Sequence, residues 1–318
     1  MNILITGCAG FIGNAFALKI LKSNKKINII GLDNLNDFYS IKLKKKRLSL
    51  IKKFENFKFY KVDLLEKKKL ENIFKKNSID IIFNFAAQAG VRYVSSHPEK
   101  FIESNIYGFH NLLEVSKNYN ISKFFYASSS SVYGDKNKYP VHEDAKLYPK
   151  NIYGLSKKMN EEYIGIIQNN NTRYIGLRFF TVFGEWGRPD MLILKFLNYA
   201  KNKKIFLLNN SGNHSRDFTY IGDVVDILDK LKDKKFRVNQ IYNICSNRPI
   251  HIKKLINYLI KKTKFKKLKN VKHNNYEVFK THGHNKKILK IIDFKKFSDF
   301  YSNVDATIDW YKNYNHLI

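Results

Sequence analysis

The sequence predicts an α/β protein whose core is a parallel, doubly wound sheet with helices on both faces. Two observations support this class. Short apolar segments alternate with helix-length segments over the first 180 residues, and a glycine-rich turn directly follows the first apolar segment. Strands that alternate with helices pair in parallel through right-handed crossovers, which is the arrangement of a Rossmann-type sheet.

Each predicted strand is a short apolar segment that ends at a small or polar residue. The strands are expected at residues 2–6, 27–32, 58–62, 79–85, 124–127 and 174–179. Helix-like stretches lie between these strands, as crossover connections require. The helices are expected at residues 11–21, 41–54, 67–76 and 101–119.

The alternation weakens after residue 180, where glycine, proline and asparagine become frequent. We therefore expect two domains. Residues 1–180 form the sheet domain, and residues 181–318 form a smaller, mixed α/β domain that faces the carboxyl ends of the strands. Segments near residues 218–245 are expected to return to the first domain. The lysine-rich stretch 261–269 is expected to be a solvated helical face.

The chain is strongly basic, since 58 basic residues against 27 acidic residues give a formal net charge of +31. Such a charge is typical of proteins that bind nucleic acids or anionic membranes. Most of the excess, however, is lysine spread along the whole chain and mixed with asparagine and isoleucine, as AT-rich codons would produce. We therefore expect no nucleic-acid partner, although a positive surface would attract an anionic small molecule.

Several features favour a cytoplasmic protein that does not contact membranes. The two cysteines, Cys8 and Cys245, suggest a reducing compartment without a disulfide framework. The N-terminus enters a strand without a leader pattern, and no apolar run approaches the ~18–20 residues that span a bilayer. The basic segment 41–54 has a narrow apolar face, so packing on the sheet explains it better than membrane attachment.

The glycine-rich turn is a candidate dinucleotide site. Gly7, Gly10 and Gly13 follow the first strand and open a helix. Glycine permits the tight turn, a close approach of backbone to phosphate, and close packing of helix on strand. The free N–H groups at the helix start would bind the pyrophosphate. A glycine turn alone is weak evidence, but its position between a strand and a helix favours binding over a purely structural turn.

Acidic residues at the next two strand ends extend this candidate site. Asp33 ends the second strand, where a carboxylate can bind both adenine-ribose hydroxyls. It favours NAD over NADP, because a 2′-phosphate would face a negative charge. Lys44, Lys46 and Arg47 follow and could offset that charge. Asp63, one strand further on, is either an acceptor for the adenine amino group or an ordinary turn residue.

A second group of residues is suited to proton transfer. Tyr153 and Lys157 are four residues apart, so a helix would place them on one face. A free phenol has a pKa of about 10, and a nearby ammonium group lowers that pKa. Ser129, in a run of serines after the fifth strand, offers a hydroxyl that bridges phenol and substrate. The alternative is a surface Tyr/Lys pair, which the context of a dinucleotide fold disfavours. We expect no metal site.

On these motifs the chain resembles the extended short-chain dehydrogenases/reductases of the NAD-dependent epimerase/dehydratase family. Within that family it is most similar to the UDP-glucuronate 4-epimerases. The resemblance spans most of residues 1–230, and its most specific parts are 34–39 and 178–190. The matching stretches are residues 32–39, 85–93, 126–134, 177–190 and 216–221.

The resemblance implies an NAD-dependent 4-epimerase that acts on a UDP-sugar through a transient 4-keto intermediate. It implies Ser129, Tyr153 and Lys157 as the catalytic residues. It implies cofactor contacts from Gly7, Gly10, Phe11, Ile12, Gly13, Asp33, Asn34, Asn36, Asp63, Leu64, Phe85, Ala86, Ala87, Gln88, Tyr153 and Lys157. It implies substrate contacts from Gln88, Arg92, Ser129, Ser130, Ser131, Thr181, Arg188 and Arg216.

Some of these implied roles fit simple chemistry. Hydroxyls from Ser130, Ser131 and Thr181 together with the Arg188 guanidinium would form a charge-assisted pocket for the sugar carboxylate. Arg216 would hold the diphosphate. The alternative for each arginine is an ordinary surface ion pair.

Related reactions on the same fold remain as alternatives. A 4,6-dehydratase needs an acidic pair after its catalytic Thr, but Ser130 and Ser131 occupy those positions, which disfavours dehydration. A UDP-glucuronate decarboxylase is disfavoured less strongly. A 4-epimerase of neutral UDP-hexoses or UDP-N-acetylhexosamines is the nearest alternative. A non-catalytic nucleotide- or nucleic-acid-binding module is the non-enzyme alternative.

Two further expectations concern assembly and the C-terminal region. Helices near 101–117 and 153–167 carry apolar residues on more than one face, and in look-alike proteins these helices form a dimer interface, so we expect a homodimer. The family often has Gly-Asp-x-Pro before its last substrate-domain helix. This chain has Gly283-His-Asn-Lys286 instead, which concerns the distal nucleotide contacts.

Overall fold

The computed structural model describes residues 1–90, 93–94, 96–167, 171–273 and 275–318. Its strands agree closely with those expected from the sequence in the first 180 residues. They are β1 (Asn2–Thr6), β2 (Asn28–Asp33), β3 (Phe57–Lys61), β4 (Ile81–Asn84), β5 (Lys123–Ser129), β6 (Arg173–Phe179), β7 (Thr181–Phe183), β8 (Phe206–Asn209), β9 (Ser215–Tyr220), β10 (Gln240–Ile244), β11 (Pro249–His251) and β12 (Leu268–Val271).

The helices include one irregular stretch. Helices α4 and α5, expected as a single helix over 101–119, are separated by a π-helical turn at Glu103–Tyr107. The helices are α1 (Phe11–Ser23), α2 (Ile41–Lys52), α3 (Lys67–Lys76), α4 (Pro98–Ile102), α5 (Gly108–Ser116), α6 (Ile152–Ile166), α7 (Leu192–Lys201), α8 (Ile221–Lys232), α9 (Ile252–Thr263), α10 (Lys286–Leu289) and α11 (Phe300–Tyr314).

The main sheet has seven parallel strands in the order β10-β6-β5-β4-β1-β2-β3. The predicted Rossmann-type fold is therefore confirmed. The chain direction across the sheet reverses between β1 and β4. Ligands of such sheets bind at this switch point, outside the carboxyl ends of the strands.

Alternating side chains of the strands pack against helices on opposite faces of the sheet. On β1, Ile3 and Ile5 face the apolar core beneath α1, α2 and α8. Leu4 faces the other core, beneath α3, α5 and α6. All three side chains are fully buried. Because both faces are covered, the strands read as nearly continuous apolar runs in the sequence.

A smaller, mixed unit lies beyond the main sheet. It contains a three-stranded sheet in the order β11-β9-β7, a two-stranded sheet of β8 and β12, and a core shared by α7, α9 and α11. The chain then returns, since β10 pairs with β6 and α8 packs on α1. A division near residue 180 stays our proposal. The helix expected over 261–269 is wrong in part, because α9 ends at Thr263 and β12 follows.

Within the described ranges, no helix is both long enough and apolar enough to cross a bilayer. Segment 41–54, considered above for membrane attachment, forms α2, whose buried face contributes Leu48 and Ile51 to the core beneath α1. Cys8 and Cys245 are both buried and unpaired.

Candidate active site

A cleft of about 910 Å³ runs from the switch point of the main sheet to the smaller unit. Every site residue predicted above that the structure describes lines this cleft. Arg92, predicted to contact substrate, lies outside the described residues. The cleft is therefore the common location of both predicted sites, and the individual ligand contacts remain predictions.

The glycine turn has the close approaches that require glycine. Gly7 has a φ of +69°, and a Cβ atom there would lie 2.8 Å from the backbone nitrogen of Ala86. A Cβ atom on Gly13 would lie 2.3 Å from the carbonyl oxygen of Gly7. Gly10 is the N-cap residue of α1 and provides no side-chain cap. The N–H groups at the start of α1 are thus left for an anion at the switch point.

Asp33 is fixed beside this turn by two backbone groups. Its Oδ2 accepts a hydrogen bond from the Ala9 N–H at 3.0 Å, and its Oδ1 accepts one from the Leu35 N–H at 2.8 Å. Burial raises the pKa of its carboxyl group, and these two bonds oppose the rise. Each carboxylate oxygen keeps a lone pair for another donor, as a ribose hydroxyl would require.

Asn34, Asn36 and Asp63 form the adjoining wall of the cleft. The Asn34 amide donates to Asp63 Oδ2 at 2.7 Å, and Asp63 Oδ1 accepts from the Leu65 N–H at 3.0 Å. Asp63 therefore orders the strand-end turn, the structural alternative considered above, while it also lines the cleft.

Lys44, which the sequence suggested as a possible charge partner for a 2′-phosphate, holds Asn36 instead. Its ammonium group donates to the Asn36 backbone oxygen at 2.7 Å and to the Asn36 side-chain oxygen. Burial lowers the pKa of Lys44 to about 8, although the nearby Asp33 opposes this shift.

The proton-transfer residues lie at the start of α6. The Asn151 side chain caps this helix by accepting from the Gly154 N–H at 2.8 Å. A Cβ atom on Gly154 would lie 2.6 Å from the carbonyl oxygen of Ser131, so glycine lets the helix touch the serine turn. The helix places Tyr153 and Lys157 on one face, one turn apart, as the sequence predicted.

Burial raises the pKa of the Tyr153 phenol, and the neighbouring Ser129 hydroxyl and the Arg188 guanidinium oppose the rise. Burial lowers the pKa of Lys157 to about 8, and the negative charge of Glu161 opposes that shift. Burial therefore favours the neutral form of both groups, and the lowering of the phenol pKa expected from the sequence is not found in this cleft.

A buried network behind the catalytic helix was not found from the sequence. Glu161 accepts two hydrogen bonds from Arg178, Nε to Oε1 at 2.9 Å and Nη2 to Oε2 at 2.7 Å. Ser128 also donates to Glu161 Oε1. Arg178 further donates to the Tyr133 hydroxyl at 2.7 Å. The only sequence signal was that Glu161 follows Lys157 by one helical turn.

A second missed residue is Asn105, in the π-helical turn. Its side chain accepts from the Gln88 N–H at 2.7 Å and donates to the Gln88 carbonyl at 3.0 Å. It also donates to the Ser156 hydroxyl at 3.0 Å. Asn105 thus joins the β4 loop to the catalytic helix. Single-turn π-helices of this kind occur frequently at functional sites.

Arg188 occupies the part of the cleft beyond the serines. Its guanidinium binds Asp190 through Nε at 3.0 Å and Nη2 at 2.6 Å, and it lies over the Phe38 ring at 5.6 Å. Ser130, Ser131 and Thr181 line the same cleft. The residues predicted to surround a carboxylate thus share one cleft with the Ser129–Tyr153–Lys157 group.

Arg216 lies at the distal end of the cleft. Its Nη2 is 3.6 Å from a Glu277 carboxylate oxygen, and its Nη1 donates to the Phe279 carbonyl at 3.3 Å. Glu277 and its neighbours Tyr276 and Val278 also line the cleft, and sequence reasoning missed them. Gly283, which begins the segment that differs from the family pattern, packs against Phe180 and Cys245.

The fold and the cleft are typical of nucleotide-dependent oxidoreductases. Comparison with known proteins identifies the family. The NAD-dependent epimerase/dehydratase family matches residues 3–245, and the chain belongs to this family. CapI of Staphylococcus aureus is 37% identical over 99% of both chains.

Two further relatives share nearly the full length of the chain. A UDP-glucuronate 4-epimerase of Thermodesulfobacterium geofontis is 34% identical over 99% of this chain and 97% of its own. The crystal structure of Bacillus cereus UDP-glucuronic acid 4-epimerase with UDP-glucuronic acid and NAD superposes with a TM-score of 0.92. That structure is 27% identical in sequence and covers 98% of this chain and 99% of its own.

Proposed function

We propose that this protein is an NAD-dependent UDP-glucuronate 4-epimerase, which interconverts UDP-glucuronate and UDP-galacturonate. The observation that carries the proposal is the placement of Arg188 and its hydroxyl neighbours in one cleft with Ser129, Tyr153, Lys157 and the glycine turn. Likeness to UDP-glucuronate 4-epimerases over the full chain supports the same substrate.

The residues present fit NAD. Uncapped N–H groups at the start of α1 suit its pyrophosphate, and Asp33 suits its adenine ribose. When bound, NAD would supply the reversible hydride acceptor for C4 of the sugar. Tyr153, as the phenolate that the Lys157 ammonium group stabilises, takes the proton of the 4-hydroxyl through or beside Ser129 and becomes a neutral phenol. The 4-keto sugar then turns over about its diphosphate, and Tyr153 returns the proton after the hydride reaches the opposite face.

The substrate carboxylate creates a hazard in this mechanism. A 4-keto uronate is a β-keto acid, which loses carbon dioxide when its C5–C6 bond aligns with the ketone π system. Arg188, Ser130, Ser131 and Thr181 would hold the carboxylate out of that alignment through charge-assisted hydrogen bonds. Retention of the carboxylate is what separates the proposed epimerase from a decarboxylase.

A neutral UDP-hexose 4-epimerase is the second candidate, since it needs the same proton and hydride transfers. The half-buried guanidinium of Arg188 in the sugar part of the cleft favours the uronate, because the N–H donors that Asp190 does not occupy suit a carboxylate better than a neutral hydroxymethyl group. Dehydration is disfavoured, because serines hold the positions of the acidic pair that dehydratases use.

We also propose a homodimer formed through α4, the π-helical turn and α6. Large apolar side chains are exposed on these elements, namely Ile102, Tyr107, Leu155 and Met159. Exposed apolar clusters of this kind are typical of protein interfaces. Light scattering should give twice the chain mass for the wild type and the single chain mass for a Leu155→Lys/Met159→Lys variant. A wild type at the single chain mass would contradict the dimer.

A substrate panel tests the proposed activity. The purified protein would be incubated with NAD and, separately, with UDP-glucuronate, UDP-glucose or UDP-N-acetylglucosamine, and the products separated by anion-exchange chromatography. We expect conversion of UDP-glucuronate to UDP-galacturonate with a kcat/KM at least about tenfold above the neutral sugars. Faster conversion of a neutral sugar would transfer the assignment to the second candidate. Conversion of none would leave a binding module.

A further inference from the structure

Asp190 is an acidic residue in the sugar part of the cleft that the mechanism above does not use. It lines the cleft two residues after Arg188 and binds that guanidinium with both carboxylate oxygens. Burial disfavours its ionised form, but the adjacent Arg188 more than offsets this and holds the pKa of Asp190 below its usual value. Asp190 is therefore a fixed anion beside the site proposed for the substrate's own carboxylate.

The geometry of the pair decides which part of Arg188 remains for substrate. Asp190 takes the side edge of the guanidinium, formed by Nε and one Nη2 hydrogen. An arginine has five N–H donors in one plane, so the second Nη2 hydrogen and one Nη1 hydrogen remain side by side on the outer edge. That outer edge has the fork shape that matches a second carboxylate.

Two more contacts restrict the guanidinium plane. The Phe38 ring lies under it at 5.6 Å. Phe38 itself fits closely against Gly90, where a Cβ atom would lie 2.7 Å from the ring and 3.7 Å from Arg188 Nη2. The plane is thus packed on one face by Phe38, and its rotation in the plane is fixed by Asp190.

We propose that Asp190 is a positioning residue: it fixes Arg188 so that the outer edge of the guanidinium holds the C6 carboxylate of the 4-keto intermediate away from the alignment that decarboxylates it. This inference rests on the proposed function. Asp190 does not touch the reacting atoms, and its effect is on the direction in which Arg188 presents its free donors.

The side reaction that Asp190 suppresses is chemically complete within the proposed cycle. The C5–C6 bond of the 4-keto uronate breaks, carbon dioxide leaves, and the electron pair forms a C4–C5 double bond while the C4 oxygen becomes an enolate. A proton then adds at C5 to give a UDP-4-keto-pentose. No oxidant or reductant is needed beyond the hydride transfer that precedes it.

Product partition tests this role better than activity alone. Asp190→Asn keeps the shape of the side chain but removes its charge. It also replaces one carboxylate oxygen with an NH₂ group, which would face the N–H donors of Arg188. With UDP-glucuronate and NAD, we expect the ratio of UDP-pentose products to UDP-galacturonate to rise at least about tenfold, the effect of losing a hydrogen bond between charged groups. Asp190→Glu should restore the ratio in part.

Glu185→Gln is the matched control, because Glu185 lies in the same loop but binds the Tyr220 hydroxyl. It should leave the product ratio unchanged. NAD binding and the melting temperature of each variant would be measured alongside. Because the Asp190 side chain is partly exposed, we expect its replacement to leave the protein folded. A product ratio for Asp190→Asn equal to that of the wild type would overturn the inference while leaving the epimerase intact. A wild type that converts no UDP-glucuronate would overturn both.

Discussion

Lys157 and Glu161 are both buried on one face of α6, one helical turn apart, and the Glu161 charge opposes the desolvation that lowers the pKa of Lys157. Glu161 is itself held by the two-bond pair with Arg178 from β6. The carboxylate is therefore fixed relative to the catalytic ammonium group. On the proposed mechanism, the fixed separation of the Glu161 carboxylate and the Lys157 ammonium group sets the pH at which Lys157 loses its proton and no longer stabilises the Tyr153 phenolate.

Replacing Glu161 with Gln should move the alkaline limb of the kcat profile to lower pH. Removing a negative charge lowers the pKa of Lys157 below its value of about 8, so the ammonium group is lost earlier as pH rises. Each variant's profile would be compared with its own maximum, because unpaired Arg178 also costs stability. Glu162→Gln, one residue on and exposed, is the control. An unmoved limb would contradict the link.

Tyr153→Phe should reduce kcat by about 10²- to 10⁴-fold, the usual contribution of a general acid or base. Binding of NAD should persist, because the glycine turn and Asp33 are untouched. Tyr163→Phe makes the same chemical change about three turns later on α6, where the phenol contacts His110, and should retain activity. Equal losses in both variants would point to the helix rather than to the phenol.

Arg188→Ala should discriminate between substrates. We expect kcat/KM for UDP-glucuronate to fall about 10- to 100-fold, since the carboxylate loses a charged hydrogen-bond donor. Any activity on UDP-glucose should change far less. Arg216→Ala is the comparison variant, because it would remove a contact to the diphosphate that both UDP-sugars share and should weaken both alike. Equal losses on both sugars in Arg188→Ala would remove the carboxylate role.

Asp33→Ser should weaken the preference for NAD over NADP by at least about tenfold, because it removes a negative charge that would face the 2′-phosphate. Titration calorimetry with each oxidised cofactor measures this directly. Lys46→Ser, on the exposed side of α2, is a control for unspecific changes in anion binding. A ratio that does not move would mean that Asp33 only orders the Ala9–Leu35 backbone.

Arg47→Met should lower the free energy of unfolding by about 3 kcal/mol. Arg47 is fully buried and donates to the carbonyls of Trp186 and Gly187 and to the Tyr39 hydroxyl. Arg47 thereby joins α2 to the segment before Arg188, and its replacement leaves these acceptors without their donor. Urea unfolding would measure the change, with exposed Lys45→Met as the control. A change below 1 kcal/mol would contradict this role.

The sequence predicts the sheet domain well because its signals are local. Strands β1 to β6 are apolar runs with polar ends, and Gly7, Gly10 and Gly13 identify the turn at the switch point. The same locality explains the placement of Tyr153 and Lys157 on one helix face.

Other features depend on contacts between distant residues. Asn105 bonds Gln88 and Ser156, which are 17 and 51 residues away, so no local pattern marks its π-helical turn. Glu277 approaches Arg216 only through the tertiary fold. The lysine-rich stretch 261–269 looks like one helical face, whereas α9 ends at Thr263 and pairing with β8 places Lys269 in β12.

The most direct measurement uses UDP-glucuronate with deuterium at C4, incubated with the protein and NAD in ordinary water and followed by NMR. If the C4 hydrogen moves as a hydride within the closed cleft, UDP-galacturonate should appear with the deuterium still at C4 and with no pentose. Loss of the label to solvent, a UDP-pentose as the main product, or no conversion would contradict a 4-epimerase that works by retained hydride transfer.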